Sequence, residues 1–159
     1  MSFTFNEKNL KKCDAILKCY PNKQAALLPV LWLAQKQQGY LPLDAQEYVA
    51  QLLDLSPVHV YGVTTFYTMF KTKPVGKYHL QLCRTLSCAL VGMENIGHHL
   101  KEKYQLEHDS VSKDGRFSLE LVECLGSCGS GPALMVNDSL VEHLTIEKLD
   151  KLMEKLKKD

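Results

Sequence analysis

The sequence has no apolar run long enough to cross a bilayer. Its longest uninterrupted run, AALLPVLWLA from Ala25 to Ala34, contains a proline and is far shorter than the about 20 residues that a spanning helix needs. The first residues, MSFTFNEKNLKK, lack the apolar centre of a secretion signal and the Arg-rich, acid-poor composition of a transit peptide. We therefore expect a protein that is not inserted into a membrane and that stays in the cytoplasm.

Charge of one sign is not in excess. Lys and Arg total 19, against 18 for Asp and Glu. A protein that neutralises many phosphates needs a surplus of basic side chains. The composition therefore predicts that nucleic acid is not a partner.

The glycine-rich motifs that bind nucleotides are also absent. No G-x-G-x-x-G lies between a strand and a helix, since GSCGSG at 126–131 has the wrong spacing, and there is no G-x-x-x-x-G-K-S/T. The absence of both glycine-rich motifs predicts a chain that binds no nucleotide itself. The C-x-x-C motif of thiol–disulfide oxidoreductases is missing as well.

Cysteine is present in quantity, with six in 159 residues. Three disulfides would suit a secreted domain that is too small to build a core. This chain is 45% hydrophobic, which is enough for a core, and it has no export signal. Metal binding or redox chemistry is the better interpretation, so the spacing of the cysteines matters more than their number.

The first half of the chain carries a helical pattern of apolar residues, which predicts an N-terminal helical bundle over residues 1–74. NKQAALLPVLWLAQKQQG is predicted to form one helix that ends at Gly39. Pro29 is expected to kink this helix, because a proline leaves the carbonyl of Ala25 without its donor.

Two further helices are predicted in the same half. In LDAQEYVAQLLDL, Asp44 precedes an apolar face and is predicted to be the N-cap. Ser56 and Pro57 are a cap residue and a proline at the first helical position, which predicts a third helix through VHVYGVTTFYTMF. Four large aromatic side chains of this half have two interpretations, a docking surface or the helical core, and the core is expected for most of them: Trp32, Tyr61, Phe66 and Tyr67.

The segment KTKPVGK, with Pro74 and Gly76, breaks the helical pattern and predicts a boundary to a second domain over residues 75–159. Apolar residues alternate in KYHLQLC and RFSLELV, which predicts strands, and follow a helical period in LVGMENIGHHLKEKY between them. ALMV, ND and SLVEHL together predict a hairpin. Thr145 is predicted to cap a last helix, after which KKD extends into solvent.

This order of elements predicts the fold. A right-handed crossover makes the first two strands parallel, and the hairpin adds an antiparallel edge. The chain is therefore expected to be α+β, with a helical bundle followed by a small thioredoxin-like α/β domain.

Four of the cysteines form two close pairs at predicted strand ends. Cys83 ends the first strand and Cys88 opens the following helix, with the spacing C-x4-C. Cys124 ends the next long strand and Cys128 follows, with the spacing C-x3-C. Because parallel neighbouring strands end at the same edge of a sheet, the four sulfurs are expected to converge.

Two kinds of metal centre fit these spacings. Structural zinc takes four ligands on one ion, whereas a 2Fe–2S cluster needs two thiols at each end. Gly126, Gly129 and Gly131, which let a loop turn its N–H groups inward, favour the negatively charged cluster. The N-terminus of the helix after Cys88 and the charge of Arg84 favour it as well. The spacing alone leaves both centres open.

Other candidate residues have ordinary structural interpretations. Cys13 and Cys19 have a spacing that suits neither a helix face nor a ligand loop, and we interpret them as incidental. His98 and His99 have no cysteine or carboxylate at ligand spacing, so at least one is expected to be solvated. Residues 114–116, DGR, predict a turn.

These motifs closely resemble a known family. CRTLSC and VECLGSC, with 35 residues between Cys88 and Cys124, followed by GPALMVND, are similar to the small 2Fe–2S subunit of the NADH-dehydrogenase module of respiratory complex I, which is known as the E subunit in bacteria. GVTTFYTMF and PVGKYHLQLC before these motifs and DGRFSL between them match as well. The similarity spans nearly the whole chain, from QKQQGYLP to the last helix.

The resemblance implies that the second domain is a thioredoxin-like 2Fe–2S ferredoxin domain. Cys83, Cys88, Cys124 and Cys128 match the four cluster ligands of the family, and we assign the first two to one iron and the last two to the other. The implied activity is electron transfer, as one subunit of NADH:quinone oxidoreductase with no complete active site of its own.

The resemblance also implies a hetero-oligomer. The partner is a larger flavoprotein subunit that holds FMN, the NADH site and a 4Fe–4S cluster, and the helical half is the docking element. The assembly is expected to be peripheral on the cytoplasmic face of the inner membrane. Relatives of the family also serve NAD-linked hydrogenases and formate dehydrogenases, which are the alternative parent complexes. A zinc-stapled interaction module and a thiol–disulfide enzyme are the rivals from other functional classes.

Overall fold

The structure, a computed structural model, describes residues 3–159, and the chain divides into two compact units, Met1–Pro74 and Val75–Asp159. The described part of the first unit contains four helices: α1 Glu7–Cys19, α2 Leu27–Gln38, α3 Leu43–Leu53 and α4 Pro57–Phe66. Their apolar stripes meet in one core that includes Val30, Leu31, Val49, Leu53 and Val60. No helix in residues 3–159 is both long enough and apolar enough to span a membrane.

Helix α1 was not predicted from the sequence, and it gives the two N-terminal cysteines different environments. Asn6 caps the helix, because its side chain accepts a hydrogen bond from the N–H of Asn9 at 2.9 Å. Cys13 is buried in the core of the first unit, where burial and the nearby charge of Asp14 raise the pKa of its thiol. Cys19 is exposed at the end of the helix. Cys13 is therefore a packed core residue.

Helices α2 and α3 do not start where the sequence predicted. Helix α2 begins only at Leu27, so Pro29 lies in its first turn, where an N–H has no acceptor inside the helix, and the predicted kink is wrong. Helix α3 begins after Pro42, so Asp44 is not its N-cap. The Asp44 carboxylate instead accepts hydrogen bonds from the N–H groups of Phe3 and Ala45, both at 2.9 Å.

Helix α4 is shorter than predicted and carries its aromatic residues outward. It starts at Pro57 behind Ser56, as predicted, but ends at Phe66. Its buried positions are Val60 and Thr64, one turn apart. Tyr61 and Phe66 lie on other faces of the helix, and Tyr67 follows its end. All three are exposed, so the expected core position is wrong for them. Trp32 packs against the core, as expected.

The second unit is built on a five-stranded sheet. Its strands are β1 Tyr78–Cys83, β2 Ser110–Val111, β3 Phe117–Val122, β4 Leu134–Val136 and β5 Ser139–Val141. Their order across the sheet is β2-β3-β1-β4-β5, with β1 and β3 parallel and the other neighbours antiparallel. The parallel pair and the β4–β5 hairpin are as predicted, and the short strand β2 is an addition. Strand β1 is central, so all its residues are buried.

Three helices complete the second unit: α5 Leu86–Leu90, α6 Met93–Tyr104 and α7 Ile146–Lys158. A single helix was predicted where α5 and α6 lie, but the chain breaks at Gly92, which has φ +99°. Cys88 therefore does not open the long helix and lies within the short helix α5. Residues 114–116 form the predicted turn.

Helix α7 is fixed at both ends. Thr145 is its N-cap, as predicted, and accepts a hydrogen bond from the N–H of Lys148 at 3.2 Å. The last three residues are exposed, as predicted, but α7 continues to Lys158 and brings Asp159 to the start of β1. There the Tyr78 hydroxyl donates to the Asp159 carboxylate at 2.5 Å.

A polar cluster joins α6 to α7 around Asp150. Its carboxylate accepts hydrogen bonds from Nζ of Lys103 at 2.7 Å, Nε2 of His99 at 2.8 Å and the hydroxyl of Tyr104 at 2.7 Å. These donors hold the pKa of Asp150 below its usual value, with Lys103 the largest influence. Burial, followed by Asp150, raises the pKa of Tyr104. His98 is exposed, as expected for one of the two histidines.

Candidate metal centre

The parallel strands β1 and β3 end at the same edge of the sheet. Cys83, the last residue of β1, lies opposite Val122, the last residue of β3. The N–H of Arg84 donates to the Val122 carbonyl at 2.9 Å, which keeps the two strands together up to their ends. Cys124 lies two residues beyond β3, slightly later than predicted. The segments that carry the two cysteine pairs therefore leave the sheet side by side.

The first pair of thiols is buried. Cys83 is 2% exposed and Cys88 1%. Each of these two thiols influences the pKa of the other, and Cys128 acts to raise the pKa of Cys88. Burial is the largest influence on both residues; it raises the pKa of Cys88, whereas hydrogen bonds led by that of the Thr85 hydroxyl outweigh it and lower the pKa of Cys83.

The second pair is exposed and already close. The Sγ atoms of Cys124 and Cys128 lie 3.9 Å apart, in a loop that faces solvent. Two ligands of a tetrahedral metal with metal–sulfur bonds of about 2.3 Å lie about 3.8 Å apart. The separation of this pair is therefore that of two thiolates on one metal ion.

The donor set consists of two pairs of thiols. Within residues 3–159, no group of three or more His, Cys, Asp or Glu side chains is arranged to hold a single metal ion. A structural zinc site requires four ligands around one ion. A 2Fe–2S cluster needs two thiols at each end, and this structure offers two pairs.

The comparison with known families decides between these centres. The family model of thioredoxin-like [2Fe-2S] ferredoxins matches residues 13–157. The chain belongs to this family. The predicted fold class, a helical part followed by a thioredoxin-like ferredoxin domain, is confirmed, and the chain carries a 2Fe–2S cluster.

Curated members of the family cover nearly the whole chain. The E subunit of NADH-quinone oxidoreductase from Rickettsia bellii (strain RML369-C) is 45% identical over 161 residues, covering 99% of this chain and 96% of that protein. The E subunit from Rickettsia prowazekii (strain Madrid E) is 43% identical, covering 96% of this chain and 88% of that protein. The E 2 subunit from Rhizobium meliloti (strain 1021) is 40% identical, covering 91% and 86%.

A solved structure shares the fold at low sequence identity. A chain of the NAD+-reducing [NiFe]-hydrogenase in the H2-reduced state superposes with a TM-score of 0.68 at 20% identity. The match covers 81% of this ferredoxin-family chain but only 22% of the hydrogenase chain. This likeness supports the fold alone.

Backbone N–H groups are directed at the cysteine sulfurs of this ferredoxin-family chain. The N–H of Gly126 donates to Sγ of Cys124 at 3.3 Å, and Gly126 has φ +76°, a conformation that favours glycine. Backbone N–H groups of Thr85 and Leu125 act to lower the pKa of Cys83, and that of Ala133 acts in the same direction on the pKa of Cys88. Such donors stabilise the negative charge of a thiolate-bound cluster.

The predicted role of the loop glycines is correct for Gly126 but not for Gly131. Gly131 has φ −67°, which any residue adopts. A Cβ at this position would lie 3.1 Å from Cγ2 of Val91 and 3.3 Å from Sγ of Cys88. Gly131 therefore provides space beside a candidate ligand thiol. Nothing lies within 4 Å of the corresponding point at Gly129, which has no positive φ either.

The charge of Arg84 is not free to act on the cluster. Its Nε and Nη2 atoms donate to Oε1 of Glu123 at 3.0 and 2.5 Å. Arg84 follows Cys83 and Glu123 precedes Cys124, so the ion pair links the two cysteine-bearing segments. The sequence pattern indicated Arg84 alone, and its acidic partner was not predicted.

Thr85 was also missed. It is the N-cap of α5, but its hydroxyl makes no capping hydrogen bond and lies 3.2 Å from Sγ of Cys83. A threonine two residues after a candidate ligand, at the start of a helix, is the signal that would have indicated this contact.

Proposed function

We propose that this chain is the electron-transfer subunit of the NADH-dehydrogenase module of respiratory complex I. The observation that carries the proposal is 40–45% identity to NADH-quinone oxidoreductase E subunits over almost the entire chain. The chain is thus part of an oxidoreductase. Cys83 and Cys88 hold one iron of its cluster, and Cys124 and Cys128 hold the other.

A 2Fe–2S cluster held by these four thiolates would supply one-electron exchange with the FMN of a partner flavoprotein. The protein residues supply the thiolates, direct N–H groups at the sulfurs and bury one side of the site. Cys83 and Cys88 lie on the buried side, while Cys124 and Cys128 lie on the exposed side.

The partner is the flavoprotein subunit that holds FMN, the NADH site and a 4Fe–4S cluster. Apolar side chains on and beside α5, next to the ligand Cys88, support an interface at the cluster: Leu86 is 74% exposed, Leu90 78% and Val91 54%. The assembly that results is a hetero-oligomer, peripheral on the cytoplasmic face of the inner membrane.

The two compact units have separate roles in this proposal. Met1–Pro74 is a helical-bundle domain that docks on the partner, and Val75–Asp159 is the ferredoxin domain. Exposed apolar residues on and beside α4 support the docking role, among them Val58, Tyr61 and Phe66.

The alternative parent complex is an NAD-linked hydrogenase. The observation that favours it is the fold similarity to a chain of the NAD+-reducing [NiFe]-hydrogenase. Sequence identity favours complex I, because it is 45% to the Rickettsia bellii subunit and 20% to the hydrogenase chain.

Co-purification tests the proposal. The chain, tagged at its N-terminus, is purified from its native host, and the bound subunits are identified by mass spectrometry. We expect the flavoprotein subunit and further subunits of complex I. Recovery of hydrogenase or formate dehydrogenase subunits instead would contradict the assignment. Leu86→Glu combined with Leu90→Glu should abolish the co-purification, whereas Leu140→Glu, on the exposed edge strand β5, should not.

A further inference from the structure

A hydrogen-bond cluster ties the loop that carries Cys128 to the end of β5. The hydroxyl of Ser127 donates to Oε1 of Glu142 at 2.6 Å, and the hydroxyl of Ser130 donates to the same oxygen. The two hydroxyl oxygens lie 2.5 Å apart. None of these three residues figures in the ligand set, and no sequence motif singles them out.

Two residues of this hydrogen-bond cluster, Ser127 and Ser130, flank the ligand residue Cys128 in the sequence. Ser127 directly precedes Cys128, and Ser130 ends the 3₁₀ turn that Cys128 begins. The backbone reinforces this attachment, since the N–H of His143 donates to the Ser130 carbonyl at 2.6 Å and the N–H of Leu144 to the Pro132 carbonyl at 3.0 Å. The turn that presents Cys128 is thus held from both of its ends.

We propose that Glu142 is a positioning residue for the cluster, which fixes Cys128 through Ser127 and Ser130 and places a negative charge beside the ligand loop. The proposal rests on the assignment of Cys128 as a ligand. It adds to that assignment an acidic residue that determines how firmly the cluster is held and at what potential it is reduced.

The electrostatic part follows from the ionisation of Glu142. Hydrogen bonds from Ser127 and then Ser130 lower the pKa of Glu142, so the carboxylate is charged at neutral pH. A nearby negative charge disfavours the addition of an electron to a cluster that is already negative. Glu142 therefore makes the reduction potential more negative.

Two measurements on the full chain with its cluster separate these effects. The first is the rate of iron loss to a ferrous-iron chelator, and the second is the reduction potential from an EPR-monitored titration. The variants are Glu142→Ala, Glu142→Gln and the double variant Ser127→Ala with Ser130→Ala. Glu147→Gln is the matched control, because Glu147 is also exposed and its pKa is also lowered chiefly by a hydroxyl group, that of Thr145.

The variants are expected to differ in a defined way. Glu142→Ala and the double serine variant should lose iron about thirtyfold faster, the ratio expected when two hydrogen bonds of ordinary net strength are lost. Glu142→Gln, which keeps an acceptor oxygen, should lose iron at an intermediate rate. The reduction potential should become more positive in both Glu142 variants, but should stay near the wild-type value in the double serine variant and in Glu147→Gln.

Wild-type rates of iron loss in Glu142→Ala and in the double serine variant would overturn the positioning role. A shift of the potential in Glu147→Gln as large as that in Glu142→Gln would overturn the electrostatic role. If Glu142→Ala does not fold, the rates of iron loss and the reduction potentials of Glu142→Gln and of the double serine variant test the proposal instead. A cluster that survives Cys128→Ala unchanged would instead overturn the ligand assignment, and with it this inference.

Discussion

Cys83 and Val122 lie opposite each other, each at the last position of its strand in the parallel pair β1 and β3. The segments that follow Cys83 and Val122 leave the sheet at the same edge. Their first residues, Arg84 and Glu123, form an ion pair that joins the two segments. This relationship explains how residues more than 35 positions apart in the sequence can serve one cluster.

Arg84→Gln should make the reduction potential of the cluster more negative. The substitution leaves the Glu123 carboxylate unpaired next to Cys124, and this charge disfavours reduction. Because the ion pair is exposed, the free energy of unfolding should change by less than about 1 kcal/mol. An EPR-monitored redox titration measures the shift. The double variant with Glu123→Gln should recover most of it, and a shift that persists unchanged there would contradict the explanation.

Thr85→Val should also make the potential more negative, for a different reason. The substitution removes a hydroxyl 3.2 Å from Sγ of Cys83 while it keeps the shape of the side chain. Hydrogen bonds to cluster sulfurs favour the reduced state. The same titration on Thr85→Ser, which retains the hydroxyl, should give a potential near that of the wild type. Equal potentials in Thr85→Val and wild type would show that the contact has no effect.

Gly131→Ala should weaken the site by crowding. The new Cβ would lie 3.1 Å from Val91 and 3.3 Å from Sγ of Cys88, so the buried ligand must move. Overpacking of this kind destabilises by about 1 kcal/mol or more. We expect a lower iron content per chain and a lower free energy of unfolding, from iron analysis and urea titration. Gly129→Ala, with open space at the same point, should match the wild type; a loss in both variants would argue against crowding.

Much of the fold was predictable because its signals are local. Alternating apolar residues predicted β1 and β3, and the ND turn predicted the β4–β5 hairpin, where Asn137 has φ +52°. Helix ends were harder. Pro29 and Asp44 have the chemistry of a kink and of a cap, but α2 begins later than predicted and α3 begins earlier, and the carboxylate of Asp44 accepts a hydrogen bond from the N–H of Phe3 instead.

The four thiols of the metal centre could be predicted from the sequence, but the residues around them could not. The spacing of Cys83, Cys88, Cys124 and Cys128 is visible in the sequence. The partners that tune them are not, because the Glu123 partner of Arg84 and the Glu142 partner of Ser127 depend on strand register and on the hairpin. The same applies to α4, whose exposed aromatic residues have no sequence signal that separates them from core residues.

Asp150→Asn should loosen the attachment of α7 to α6. The carboxylate accepts hydrogen bonds from His99, Lys103 and Tyr104, and an amide cannot accept all three equally well. Thermal unfolding followed by circular dichroism should show a midpoint lower by a few degrees. Glu154→Gln, on the same helix, is the control and should leave the midpoint unchanged.

The contribution of Asp150 should also depend on pH. Its pKa is lower in the folded protein than in the unfolded chain, so its stabilisation is complete above the unfolded value of about 3.9 and is lost as pH falls towards the folded value. The difference in midpoint between wild type and Asp150→Asn should therefore be constant near neutral pH and shrink below about pH 4. A difference that grows on acidification would contradict this account.

The ligand assignment is tested most directly by iron analysis and EPR spectroscopy of single cysteine variants. The dithionite-reduced wild-type chain should hold about two irons and show a 2Fe–2S signal. Cys83→Ala, Cys88→Ala, Cys124→Ala and Cys128→Ala should each abolish or alter that signal, while Cys19→Ala, at an exposed position outside the site, should leave it intact. An unchanged signal in any of the four would contradict the assignment of that cysteine.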